Sequence, residues 1–160
     1  MAIDMFLLVD GATGESADAA HKGFSDVSNM SWGASQAAAI SGGGGGSGKV
    51  SFSDLTITAT MDTATSALLK LCASGKHIPN VKVSICKAGG TQIEYSTIVL
   101  KDVLVTSVQF AGARGGEALH VNYAFQAAKV EHHYWVQGKD GSKGAESQMG
   151  WDVKQNVATA

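Results

Sequence analysis

Apolar and polar residues alternate with period two through much of the chain, the signature of strands with one face buried. The clearest run is Leu119, Val121, Tyr123 and Phe125, interleaved with His120, Asn122, Ala124 and Gln126. Val81, Val83 and Ile85 alternate with Lys82, Ser84 and Cys86. After the turn Ala88-Gly89-Gly90, Ile93 and Tyr95 alternate with Gln92, Glu94 and Ser96, so this stretch predicts a hairpin. Between Val50 and Met61 the apolar phase switches, from Val50 and Phe52 to Leu55, Ile57, Ala59 and Met61. Asp54 stands at the switch, which predicts a bulge bending one strand. Further strands are expected at Asp4–Asp10, Ser25–Gln36, Ile98–Phe110, Val130–Val136 and Trp151–Asn156.

One segment follows a different period. Ala64, Ala67, Leu68, Leu71 and Cys72 recur at helical spacing, Asp62 can cap the first amides, and Gly75 can end the helix in the left-handed conformation, with Pro79 beyond it. The expected fold is therefore mostly β: an antiparallel two-sheet barrel with one short α-helix at about residues 63–74, the helix plugging an open end or face. The chain is read as one domain over residues 1–160, with an extended glycine-rich loop at 41–49.

Composition narrows the function classes. Hydrophobic residues make up 44% of the 160, enough for a core, and charged residues only 16%, below the ~25% usual in soluble domains. Sparse charge points to surface that meets other protein. A net charge of −2 supplies no field for nucleic acid. Two cysteines, Cys72 and Cys86, cannot build a disulfide scaffold and read as small buried thiols. The apolar run Met5–Val9 is too short for a signal-peptide core, and Asp4 stands where positive charge belongs; no membrane span is expected.

Candidate chemistry is thin. Gly43 to Lys49 meets the glycine and lysine positions of a phosphate-binding loop, but Val50 stands where a hydroxyl must ligate magnesium, and a strand pattern follows where a helix is needed. The loop reads instead as a connection between strands, with almost no side chain to bury. Gly33-Ala34-Ser35-Gln36-Ala37 is close to a nucleophile turn, yet that turn must join a strand to a helix, and a glycine-rich loop follows. His132 and His133, adjacent on a strand, point to opposite faces, and His21, His77 and His120 lack zinc spacing. No catalytic, cofactor or metal-ligating residue is assigned.

The chain resembles the haemolysin-coregulated protein family, tube subunits of bacterial type VI secretion, in collinear segments from end to end. They include Asp4-Met5-Phe6, Gly14-Glu15-Ser16, His21, Asp26-Val27, Ser31-Trp32-Gly33, Ser35-Gln36 and Gly48-Lys49-Val50. Ser74-Gly75-Lys76-His77, Lys87-Ala88-Gly89-Gly90, Glu94-Tyr95, Leu100 to Val105, Gly150-Trp151-Asp152 and Gln155-Asn156 follow in order. Many members carry a proline after Ser or Thr at the helix start, where this chain has Thr65-Ser66-Ala67. The resemblance implies a structural subunit rather than an enzyme: six copies close a ring, rings stack into a tube, and small effector proteins are carried and protected in the channel. Partners implied are a contractile sheath and spike proteins. Localisation implied is the bacterial cytoplasm, then the outside or a target cell, without a cleaved signal peptide.

Two site expectations follow. Asn29 and Ser31 share one face of a strand, opposite Met30 and Trp32, and are expected to touch effectors in the channel. Gly42, Gly43, Gly44, Gly45, Gly46, Ser47 and Gly48 are expected to make backbone contacts between stacked rings. The alternative expectation is a monomeric barrel that binds a small ligand in its mouth, which requires an interior left unfilled.

Overall fold

A computed structural model describes residues 2–37, 48–88 and 92–160. Its elements are β1 (Ile3–Val9), β2 (Ser25–Ser31), β3 (Ala34–Gln36), β4 (Val50–Phe52), β5 (Leu55–Thr60), α1 (Thr63–Ser74), β6 (Ile78–Lys87), β7 (Ile93–Ala111), β8 (His120–Gln137), β9 (Lys143–Asp152) and β10 (Val157–Ala158). All pairings are antiparallel. Strands run in the order β8-β5-β2-β1-β6-β7, and β7 pairs back onto β8, so six strands close a barrel. β9 and β10 extend the sheet from β8, and β3 with β4 forms a separate two-stranded sheet.

The inward-facing residues fill this barrel. Leu55, Ile57 and Ala59 from β5 and Val121, Tyr123 and Phe125 from β8 are 0–1% exposed, and meet Leu7, Val81, Val83, Leu100 and Val103. The helix covers the barrel with Ala64, Thr65 and Leu68 turned inward. Its start is defined as expected: Asp62 accepts from the Ala64 amide, and the Thr65 hydroxyl accepts from the Asp62 amide. Gly75 ends the helix at φ 67. Inside, the Thr65 hydroxyl lies 2.7 Å from the Tyr123 hydroxyl, so the polar tip of this buried ring is satisfied by the helix that covers it.

Several expected boundaries move. Residues 50–61 are not one bulged strand: β4 pairs with β3, and β5 pairs with β2 and β8, so Asp54 marks a change of sheet. The stretch Ser25–Gln36 likewise divides at Trp32-Gly33. Leu119 lies outside the strand and is 52% exposed, and its carbonyl accepts from the Met61 amide. Pro79 sits within β6 at its second residue. The expected Trp151–Asn156 strand is the end of β9 followed by a turn, in which Asn156 adopts φ 57.

The segments Leu119–Gln126 and Val130–Val136 belong to one strand, β8, as Ile93–Ser96 and Ile98–Phe110 belong to β7. β8 changes parity once and β7 twice. In β7, inward positions run Ser96, Ile98, Leu100, then Val103, Val105, then Val108; in β8 they run Val121, Tyr123, Phe125, then Val130. The first change in β7 falls at Lys101-Asp102, where Asp102 takes the left-handed conformation at φ 52, and the second is the bulge between Val105 and Ser107. Asp tolerates that region better than most residues, and here it is held by His77 Nδ1 at 2.6 Å and Lys154 Nζ at 3.3 Å. The hydrogen bond from His77, then that from Lys154, keeps the Asp102 carboxyl below its usual range.

Candidate functional site: an uncharged sheet face

Because Met30 turns toward the core, its neighbours Asn29 and Ser31 stand on the outer face of β2, and both are exposed. Strand register extends that face sideways. Asn29 lies opposite Thr58, Thr58 opposite Asn122, and Asn122 opposite Gln109. Ser31 lies opposite Thr56, Thr56 opposite Ala124, and Ala124 opposite Ser107. Two complete cross-strand rows thus span β2, β5, β8 and β7 without a single ionisable side chain.

The rows also bond among themselves. Thr58 Oγ1 donates to Asn122 Oδ1 at 2.7 Å, Thr56 Oγ1 to the Ser31 carbonyl at 3.3 Å, Gln109 Nε2 to Ser107 Oγ at 3.3 Å, and Ser28 Oγ to the Thr58 carbonyl at 3.2 Å. Both threonine hydroxyl protons are therefore engaged within the wall. What remains exposed is an uncharged polar surface whose hydrogen bonds can be exchanged with water at little gain or loss.

The same strand carries opposite chemistry beyond its parity change. Along the other half of β8, Glu131 meets Lys101 at 2.9 Å, and His133 lies between Glu131 and Glu146 at 3.3 and 2.7 Å. Trp135 stacks on His133, and Lys143 sits 3.5 Å from the Trp135 ring centre. The hydrogen bond from Lys101 holds the Glu131 carboxyl below its usual range. Charge is thus concentrated on one part of the surface and absent from another.

β3 and β4 flank the glycine-rich segment in sequence. Ala34, Ser35 and Gln36 pair with Phe52, Ser51 and Val50, the Gly48 amide donates to the Ala37 carbonyl at 3.3 Å, and every residue of β3 is exposed. Gly42, Gly43, Gly44, Gly45, Gly46 and Ser47 lie outside the described residues; of the expected stacking loop only Gly48 is described. Lys49 is exposed and precedes strand β4, so no helix amino terminus follows the glycines. Ser35 lies in β3 and belongs to no strand-to-helix turn.

A hydrolase-like alignment does exist elsewhere. Asp18, His21 and Ser84 are linked at 2.7 and 3.0 Å, but Ser84 is 0% exposed and its hydroxyl also donates to Glu94. A serine so buried meets no substrate. Among the described residues no three His, Cys, Asp or Glu side chains are placed to hold a metal, and no helix is long and apolar enough to cross a membrane. Open clefts of about 220 Å³ between Trp32, Phe52, Leu104 and Lys154, about 400 Å³ beside Lys87 and Gln137, and about 660 Å³ beside Gly112 and Glu117 lie among the described residues. With the barrel interior filled, the small-ligand alternative gains no support.

Comparison with known proteins identifies the assembly to which such a barrel belongs. A family profile described as "Type VI secretion system effector, Hcp" matches residues 6–133. The chain belongs to the Hcp family. Protein hcp1 of Pseudomonas aeruginosa is 44% identical over 162 aligned positions, covering 98% of this chain and 99% of that protein. Among solved structures, Hcp1 from Salmonella typhimurium superposes with a TM-score of 0.83 at 33% identity, covering 99% of each chain. A structure described as a type six secretion system protein reaches a TM-score of 0.92 at 28% identity, covering 99% of this chain and all of the other. As an Hcp protein the chain is a structural subunit of the type VI secretion tube.

Sequence reading named Asn29 and Ser31 but missed Thr56, Thr58, Ser107, Gln109 and Asn122. The signal was present in part: Thr56, Thr58 and Asn122 are the polar complements of buried positions in their strands. Only the register, which depends on contacts far apart in sequence, shows that they share a surface with Asn29 and Ser31.

Proposed function

We propose that six copies of this chain close a head-to-tail ring, that rings stack into a tube, and that the uncharged face of β2, β5, β8 and β7 lines the channel and holds effector proteins. Membership in the Hcp family supports the tube. The two uncharged rows carry the assignment of the face, since a wall without charge and with its hydroxyls engaged can hold folded cargo weakly and let it leave. Asn29 and Ser31 are the positions of this wall proposed to touch effectors. The segment Gly42–Gly48 is proposed to contact the neighbouring ring through its backbone. Its support is the separate two-stranded β3–β4 pair that flanks it in sequence, whose β3 residues are all exposed, because a two-stranded sheet is only marginally stable in water and gains from a second surface.

In this reading the contractile sheath surrounds the tube and spike proteins sit at its tip. The subunit is made in the bacterial cytoplasm and leaves through the machine without a cleaved signal peptide. Catalysis is no part of the role. Ser31→Gln is the test of the channel assignment: rings should form as in the parent, while co-purification or protection of at least one effector falls. Effector retention unchanged alongside unchanged ring mass removes Ser31 from the wall's contacts.

A further inference from the structure

The loop between β1 and β2, residues 10–24, is fastened to the sheet by a chain of polar groups, buried at its middle in His21 and Ser84 and partly exposed at Asp18 and Glu94, whose hydrogen-bond geometry sets a proton count. His21 is 6% exposed, stacked on Phe6 at 4.1 Å and edge-on to Phe24 at 4.9 Å. Its Nδ1 lies 2.7 Å from Asp18 Oδ1 and its Nε2 3.0 Å from Ser84 Oγ, and Ser84 Oγ bonds in turn to Glu94 Oε2. The Asp18 carboxyl is held below its usual range, chiefly by the bond from His21. A carboxylate only accepts, so Nδ1 carries a hydrogen.

The remaining links must share the single hydroxyl proton of Ser84. If Ser84 donates to Glu94, then Nε2 must bring its own hydrogen and His21 is an imidazolium. If Ser84 donates to Nε2, then Glu94 must bring a hydrogen and is a neutral acid. A neutral His21 beside an ionised Glu94 leaves one of the two contacts with acceptors on both sides and no proton between them. We propose that Asp18, His21, Ser84 and Glu94 hold one proton shared between His21 and Glu94, a latch that pins this loop to β6 and β7 and loosens when the proton departs.

Other charged groups surround the latch. Lys82 on β6 and Lys143 on β9 lie 3.6 and 3.9 Å from the Glu94 carboxylate. Asp4 on β1 accepts from Gln92 at 3.3 Å and adds negative charge near Cys86. Cys86 on β6, 3.8 Å from Nε2, stays a neutral thiol because burial pushes it up, reinforced by the charges of Glu94, Asp18 and Asp4. The far end of the loop has its own attachment: the Glu15 amide donates to Asp62, the Thr63 amide to Glu15, and the Thr63 hydroxyl to the Thr13 carbonyl. Loss of the proton therefore frees the His21 end while the helix end stays tied.

If the latch holds its proton as proposed, folding takes up a proton above about pH 6.5, where an isolated imidazole has lost its own, and stability falls as pH rises there. The test is NMR of the intact full-length protein labelled with ring ¹⁵N-histidine and carboxyl ¹³C-glutamate, at about pH 8, above the ordinary imidazole range. One proton should be found on the pair, as an imidazolium beside a carboxylate or a neutral ring beside a protonated acid. A neutral His21 ring coexisting with an ionised Glu94 overturns the proposal. Glu94→Gln supplies the missing N–H to Ser84 at every pH, so the fall in denaturation midpoint from about pH 6 to 9, a window bracketing imidazole titration, should shrink or vanish. A slope identical to that of the parent also overturns it.

Discussion

At Asp62 one side chain decides where the helix begins, and its removal gives a clean expectation. Asp62→Ala loses the bond to the Ala64 amide and the contact with the Glu15 amide, and should cost about 1 kcal/mol in urea denaturation with the fold retained. Tyr123 carries a pH dependence of the whole barrel. Burial pushes its phenol up, and the bond with Thr65 only partly offsets this. A raised acid stays protonated when folded while the unfolded chain ionises near ~10. Its contribution is present in full below that value and is lost as pH climbs through the raised one. Tyr123→Phe should therefore be less stable near neutrality by about 1 kcal/mol, yet show a smaller fall in denaturation midpoint between about pH 9 and 11, which brackets that value. Gly14 has a steric role: a Cβ there would strike the Phe24 carbonyl and Ser25 Oγ. Gly14→Ala should cost ~1–3 kcal/mol by overpacking, read in the same denaturation assay.

Among the elements, the two long strands show why the fold was only partly legible in the sequence. Period two revealed the strands and the helical spacing revealed α1 at its observed bounds, because each depends on neighbours within a few residues. Where β8 changes parity, the alternation breaks inside a continuous strand, so it read as two shorter ones, whereas β7 was divided at Thr97, away from its parity changes. Conversely, alternation continued in shifted phase across Asp54, where the chain leaves one sheet for another. The uncharged rows were legible only at Asn29 and Ser31, since their partners are set by register. The Asp18–His21–Ser84–Glu94 chain joins residues with no shared periodicity and left no local sign. Asp102 tests the parity change itself. Asp102→Val places a β-branched residue at φ 52 and removes the His77 and Lys154 bonds, and should cost ~1–3 kcal/mol. Asp102→Asn should cost less, because Asn tolerates the left-handed region.

For the whole molecule two kinds of contact are proposed: lateral contacts that close the ring, and contacts of the glycine-rich segment with the next ring. Ordering such a segment costs ~1–2 kcal/mol per residue, so stacking should be weak and rings should separate in dilute solution. Deleting Gly43 to Gly46 should leave the barrel and the ring intact while abolishing tube growth and secretion, as seen in negative-stain images. Deleted protein that falls to monomers would place the segment in the lateral interface instead. The central claim, that this Hcp chain works as a closed ring, is tested most directly by native mass spectrometry of the purified full-length protein across micromolar concentrations. The account predicts a dominant species of six chains; a mass of one or two chains throughout would contradict it.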